Sequence, residues 1–128
     1  MTRDGLIVYV HGARDPRWAE PFDRLRTKIV QRMPALHVTV AFLEHARPSL
    51  AEAAREMAAQ GIDHIRIVPM FFGRGGHLRE DMPRQLHEAR VAAPAVRFEV
   101  TEAAGENGAV LDALAQFALD TSAITLDD

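Results

Sequence analysis

Short apolar runs alternate along the chain with stretches whose apolar residues recur at helical spacing. The apolar runs are rich in β-branched residues and are typical of buried strands, over residues 6–10, 37–43, 65–70 and 96–100. The helical spacing predicts helices over residues 17–33, 48–61 and 106–119, and one more that follows the loop of residues 71–79 and ends at about residue 91. Pro34 and Gly61 end the first two.

Regular alternation of strands and helices predicts an α/β fold. Its expected core is a four-stranded parallel sheet with helices on both faces. Right-handed crossovers favour the flavodoxin-like strand order 2-1-3-4, whose switch point lies between the first and third strands. The length of 128 residues fits one domain. We expect a single α/β domain to span residues 1–120, followed by a frayed tail over 121–128.

Composition narrows the classes of function. The net charge of -3 does not suggest a nucleic-acid partner, and no apolar run approaches the roughly 20 residues of a membrane span. Cysteine is absent, so any metal must be bound by His, Asp, Glu or water. The first residues lack the pattern of a signal peptide, which predicts a cytoplasmic protein.

Candidate chemistry follows three of the predicted strands. In open α/β sheets, ligands bind beyond the carboxyl ends of the strands, near the switch point. His11 follows the first strand, Glu44 the second, and His77 a glycine-rich loop after the third. Each alone is more often a solvated loop residue. Two imidazoles and a carboxylate that converge on one crevice would suit a transition metal that is held weakly.

Arginines gather in the same loops of this acidic chain. Arg14, Arg47, Arg74 and Arg79 are the candidates for substrate binding. Neighbouring acidic residues could neutralise each of them singly, but together they suggest a ligand with several carboxylates or phosphates. Gly75 and Gly76 could simply turn the chain, or they could let a large flat ligand lie against the backbone.

Three segments carry a resemblance to a known family. They are VHGARDP at 10–16, FLE at 42–44 with PSL at 48–50, and VPMFF at 68–72 leading into GGH at 75–77 and EDMP at 80–83. In this order and spacing, over about the first 90 residues, the chain resembles the short-form class II tetrapyrrole chelatases of the CbiX type. These include sirohydrochlorin cobaltochelatases and are related to sirohydrochlorin ferrochelatases.

The resemblance implies a lyase that inserts a divalent metal into sirohydrochlorin, in cobalamin, sirohaem or related porphyrin biosynthesis. That ring bears eight carboxylates. His11 and His77 match the metal-binding histidines of the family and Glu44 matches an acidic residue near the site. The family's short form is expected to work as a homodimer. Ala13 stands where the family usually has serine, which removes a hydroxyl contact.

Metal insertion requires removal of two pyrrole protons and of the metal's water. We expect His11 and His77 to hold the metal over the ring, while one of them or Glu44 accepts protons, because an imidazole of ordinary pKa is mostly neutral near pH 7. No cofactor is expected to be bound permanently, and Co²⁺, Fe²⁺ or Ni²⁺ would be a substrate. The choice of metal stays open.

Other functions remain possible at this point. A metal carrier, or a flavodoxin-like binding module without chelatase activity, would use the same two histidines. A phosphohistidine-type phosphatase also places a histidine after its first strand. That family, however, has arginine directly before His-Gly, where this chain has Val10.

Overall fold

The computed structural model describes residues 3–73 and 75–120, without the side chains of residues 76–78. Its sheet consists of β1 (Asp4–Val10), β2 (His37–Phe42), β3 (His64–Pro69) and β4 (Arg97–Val100). All pairs are parallel and the order is β2-β1-β3-β4. The predicted fold class and strand order are therefore confirmed, and the switch point lies between β1 and β3.

Four helices connect and follow the strands: α1 (Glu20–Arg32), α2 (Leu50–Ala59), α3 (Gly76–Ala92) and α4 (Gly108–Leu119). Their starts differ from the predicted ones. Asp15 caps a short 3₁₀ helix, Pro16–Ala19, so the regular helix begins three residues later than the 17 that spacing predicted. The hydroxyl of Ser49 caps α2, and Pro48 precedes the cap instead of opening the helix.

Both faces of the sheet are covered. On one face, α2 and α3 pack over a core that includes Ile7, Tyr9 and Ile67. On the other, α1 packs over the smaller cluster of valines from β1 and β2. The apolar faces of the first three helices therefore account for the cores that hold the strand ends in place.

Helix α4 differs from the other three because every one of its residues is exposed. Its large apolar residues are exposed, from 37% at Val110 and 38% at Leu114 to 77% at Phe117. It packs mainly against the preceding 3₁₀ helix, Ala104–Glu106. The apolar residues of α4 thus form no part of the core that is described.

Within the described ranges, no helix has the length and apolar character to cross a membrane. The cytoplasmic location stays a prediction. The tail predicted over 121–128 lies outside the described residues.

Candidate functional site

His11 and Glu44 are neighbours at the carboxyl edge of the sheet. The ladder between β1 and β2 continues past both strands, since the Leu43 amide donates to the Val10 carbonyl (2.8 Å) and the Glu44 amide to the His11 carbonyl (2.9 Å). Both residues are exposed. Backbone hydrogen bonds therefore hold one predicted metal ligand and the predicted acidic residue side by side.

Gly12 makes this close approach possible. Its φ of +94° lies in the left-handed region, and a Cβ there would stand 1.8 Å from the carbonyl oxygen of Glu44. Only glycine fits a position with both properties. The sequence presented Gly12 as part of a motif, and the contact that requires it becomes visible only when the two strand ends are side by side.

The ring of Phe71 packs against the imidazole of His11. It follows β3, is buried, and its ring lies edge-on to the imidazole with 4.2 Å between centroids. Phe71 also contacts Tyr9, at 5.9 Å between ring centroids. The next residue, Phe72, is 76% exposed. In the sequence the two phenylalanines were equivalent, so the supporting role of Phe71 was missed.

The third predicted residue, His77, is the second residue of α3. Its backbone is therefore fixed in the first turn of that helix, after the loop that leaves β3. Its side chain, like the whole of Arg74, lies outside the described residues. Convergence of His11 and His77 remains a prediction. Among the described side chains there is no cluster of three His, Asp or Glu residues that could hold a metal ion.

The glycines of the loop after β3 are not required by crowding. Gly75 caps α3 with φ -65° and ψ 172°, values that other residues adopt easily. No described atom lies within 4 Å of a Cβ at Gly73 or Gly75. Gly76 is the first residue of α3. Binding of a flat ligand over Gly75 and Gly76 stays a prediction.

Gly105, which the sequence analysis did not single out, lies after β4 and packs against this loop. Its amide donates to the Phe71 carbonyl (2.9 Å), and a Cβ on it would lie 2.2 Å from the Phe72 carbonyl oxygen. The segment after β4 is therefore packed backbone against backbone on the segment after β3. No pattern in the sequence indicates a contact between two such distant turns.

The described arginines of the predicted set do not gather at one point. Arg14 is exposed in the loop after β1. Arg47 pairs with Glu52 at the start of α2, and the hydrogen bond to this carboxylate raises the pKa of its guanidinium. Arg79 lines a cavity of about 340 Å³ with Met82 and other residues of the β3–β4 side. Arg47 and Arg79 thus border opposite ends of the carboxyl edge.

A further imidazole lies beside the predicted acidic residue. His45 follows Glu44 directly, adopts a positive φ of 64°, and its Nε2 is 3.9 Å from Oε2 of Glu44. Both side chains are about half exposed. The pair can exchange protons with solvent as well as with a ligand above the edge.

Comparison with known proteins agrees with this architecture. Residues 5–121 match the family model described as CbiX. A sirohydrochlorin cobaltochelatase of Sulfurisphaera tokodaii is 30% identical over 86 residues, 67% of this chain and 70% of that protein. The sirohydrochlorin cobaltochelatase of Sulfolobus acidocaldarius is 29% identical over 110 residues, 86% of this chain and 85% of that protein.

Solved structures show the same fold. A CbiX protein of cobalamin biosynthesis from Marinobacter aquaeolei VT8 superposes with a TM-score of 0.79 and 27% identity, over 90% of this chain and 93% of that one. The sirohydrochlorin chelatase SirB of Bacillus subtilis subspecies spizizenii, solved with cobalt, also gives 0.79, at 20% identity. The match covers 95% of this chain but only 52% of that SirB chain. The chain belongs to the CbiX family.

Proposed function

We propose that this protein is a chelatase that inserts Co²⁺ or Fe²⁺ into sirohydrochlorin. The observation that carries the proposal is the placement of His11, which stands beside Glu44 at the switch point where open α/β sheets bind ligands. Relatives of similar length that bear the name sirohydrochlorin cobaltochelatase support the same reaction.

In this proposal His11 holds the incoming metal together with His77. Two imidazoles leave most coordination positions of Co²⁺ or Fe²⁺ open to water and to the pyrrole nitrogens. Weak attachment suits a metal that must leave with the product. The edge-on contact with Phe71 restricts the rotation of the His11 ring.

Proton removal falls to a group beside the metal. The carboxylate of Glu44, or one of the two imidazoles once the metal has passed to the ring, can accept a pyrrole proton. His45, at 3.9 Å from Glu44, can pass that proton to solvent. Glu44 is therefore the proton acceptor that we propose.

The carboxylates of the ring require cationic side chains around the site to bind them. Arg14, Arg74 and Arg79 are the arginines we assign to them, with the backbone of Gly75 and Gly76 beneath the ring. Arg47 is the weaker candidate, because its guanidinium already forms an ion pair with Glu52. An arginine fork binds a carboxylate through two parallel hydrogen bonds, which orients the ring as well as attracting it.

We further propose that the protein works as a homodimer whose contact includes α4. A twelve-residue helix with one charged residue, Asp112, and an exposed apolar face is not expected to persist uncovered in water. A second copy is the occupant that fits, since SirB chains of about twice this length share the fold. An alternative surface is formed by the small residues of α2, of which Ala54 is already buried.

Sedimentation analysis tests the assembly. Wild type is expected to sediment as a dimer, and Leu114→Asp with Phe117→Asp is expected to give folded monomers. A matched control, Asp112→Asn with Gln116→Asn, changes the polar stripe of the same helix and should remain dimeric. A wild-type monomer at micromolar concentration would contradict the dimer and leave the chelatase proposal standing.

The reaction itself is tested by anaerobic spectroscopy of sirohydrochlorin with Co²⁺ or Fe²⁺. Insertion by wild type should exceed the protein-free rate at least a hundredfold, and His11→Ala should lose most of that gain. His87→Ala, an exposed histidine of α3, is the matched control and should retain it. Binding of Co²⁺ without insertion into the ring would instead indicate a metal carrier.

A further inference from the structure

Gln85 is a polar side chain buried in the middle of α3, with 8% of its surface exposed. Both ends of its amide are used. Its Oε1 accepts a hydrogen bond from the Tyr9 hydroxyl (2.5 Å), and its Nε2 donates to the Leu43 carbonyl (3.0 Å). A buried amide with both ends satisfied stabilises one arrangement of the elements that it joins.

The two partners of Gln85 stand next to the candidate site. Tyr9 precedes His11 by two residues on β1, and Leu43 is directly before Glu44. The amide of Leu43 donates to the Val10 carbonyl, and its own carbonyl accepts from Gln85. A single side chain of α3 therefore bonds to the carboxyl ends of both β1 and β2.

Donor and acceptor chemistry fixes the direction of this network. The Leu43 carbonyl can only accept a hydrogen bond, so Nε2 of Gln85 must face it. Oε1 of Gln85 is then left to face Tyr9, and the Tyr9 hydroxyl donates to it. The Gln85 amide therefore has one orientation only.

Position 77 shares a helical stripe with Gln85. Residues 77, 81 and 85 follow one another at intervals of four along α3, which places them on one side of the helix. A slide or rotation of α3 against the sheet would move position 77 and break both bonds of Gln85. The network thus controls the height and rotation of the helix that presents the second histidine.

We propose that Gln85 is a positioning residue, which sets the first turn of α3, and with it His77, against His11 and Glu44. It touches neither metal nor ring and acts through the placement of α3. This inference rests on the proposed chelatase function. Residues that orient metal ligands from behind commonly change metal affinity or activity by 10–100-fold when they are lost.

The test compares Gln85→Leu with two controls. Gln31→Leu makes the same substitution at an exposed position of α1, and Ile65→Val loosens the same core without touching the network. Thermal unfolding measures the stability of each variant, so that losses of function are compared between variants of similar Tm. Co²⁺ affinity, from the visible absorption of the bound ion, and kcat and KM for sirohydrochlorin are then measured on each full-length protein.

Gln85→Leu should weaken Co²⁺ binding and lower kcat about tenfold or more, with KM for the ring little changed. Tyr9→Phe, which leaves the Leu43 bond, should show a smaller loss. Ile65→Val should lose stability and keep both parameters. If Gln85→Leu behaves like Ile65→Val while wild type inserts metal, the positioning role is wrong. A wild type that inserts no metal would overturn the chelatase proposal, and the positioning role with it.

Discussion

The two sides of the candidate site are built differently. On the β1–β2 side, consecutive backbone hydrogen bonds hold His11 against Glu44, and Gly12 removes the last obstacle to their approach. On the β3 side, the chain leaves the sheet at Phe71 and passes Gly73 and Gly75, where no described atom crowds a Cβ position. The first side is set by the strands, and the second depends on where α3 is docked.

The two proposed metal ligands therefore differ in how they are placed. His11 follows a strand directly, whereas the position of His77 depends on the docking of α3. Gln85 bonds α3 to the sheet, and Gly105 packs the segment after β4 on the loop after β3. Substitutions on the two sides should therefore differ in kind.

The largest expected effect is that of Gly12→Ala. A Cβ in contact with the Glu44 carbonyl and a strained φ should lower the free energy of unfolding by about 2–4 kcal/mol. Insertion should fall as well, since His11 and Glu44 must separate. Urea unfolding and the insertion assay measure both.

Gly75→Ala is the matched comparison for Gly12→Ala. Its φ of -65° and the open space around it predict a change in unfolding free energy below about 1 kcal/mol. Its KM for sirohydrochlorin should rise if the ring lies on this backbone. Equal losses of stability in the two variants would contradict the contrast between the two sides.

Gly105→Ala should give an intermediate effect. The added methyl group meets the backbone of Phe72, so the loop after β3 must shift, at a cost of about 1–3 kcal/mol in unfolding free energy. Because Phe71 supports the His11 ring, Co²⁺ affinity should fall too. Gly108→Ala, which meets no described atom, is the control. An unchanged Co²⁺ affinity in Gly105→Ala would show that the segment after β4 does not influence metal binding.

Substitutions of Arg79 and Arg47 test on which side of the site the substrate binds. Arg79→Gln should raise KM for sirohydrochlorin about tenfold, the equivalent of one lost charged hydrogen bond. Arg47→Gln should change KM much less, because its guanidinium is held by Glu52. Steady-state kinetics at saturating metal distinguishes them. A larger effect at Arg47 would place the ring over the β2 edge instead.

The smallest effect concerns the cap of α2, away from the metal. The hydrogen bond from Arg47, with that from the Ser49 amide, lowers the pKa of Glu52 from 4.5 to about 2. A lowered pKa stabilises the fold above the ordinary value of 4.5, and this contribution is lost as the pH falls towards 2. Glu52→Gln should thus lower Tm slightly at pH 7, with the difference vanishing over that acid window. A constant difference would point to the cap geometry instead.

Much of this arrangement was predictable because it depends on local pattern. Strand order followed from the alternation of elements, and the neighbouring positions of His11 and Glu44 followed from their places after two adjacent strands. Gly105, Phe71 and Gln85 could not be predicted, since their roles arise from contacts between segments that are far apart in sequence. The exposure of α4 was also beyond the pattern, because an apolar stripe does not say which surface will cover it.

In the proposed site, one metal ion is bound by a histidine from each side. The most direct measurement is a double-mutant cycle of Co²⁺ affinity with His11→Ala, His77→Ala and the double variant, beside His87→Ala. If both imidazoles bind the same ion, each single variant should lose at least about tenfold in affinity, and the double variant clearly less than the product of the two losses. Losses that multiply without coupling, or a single variant that binds like wild type, would contradict the shared site.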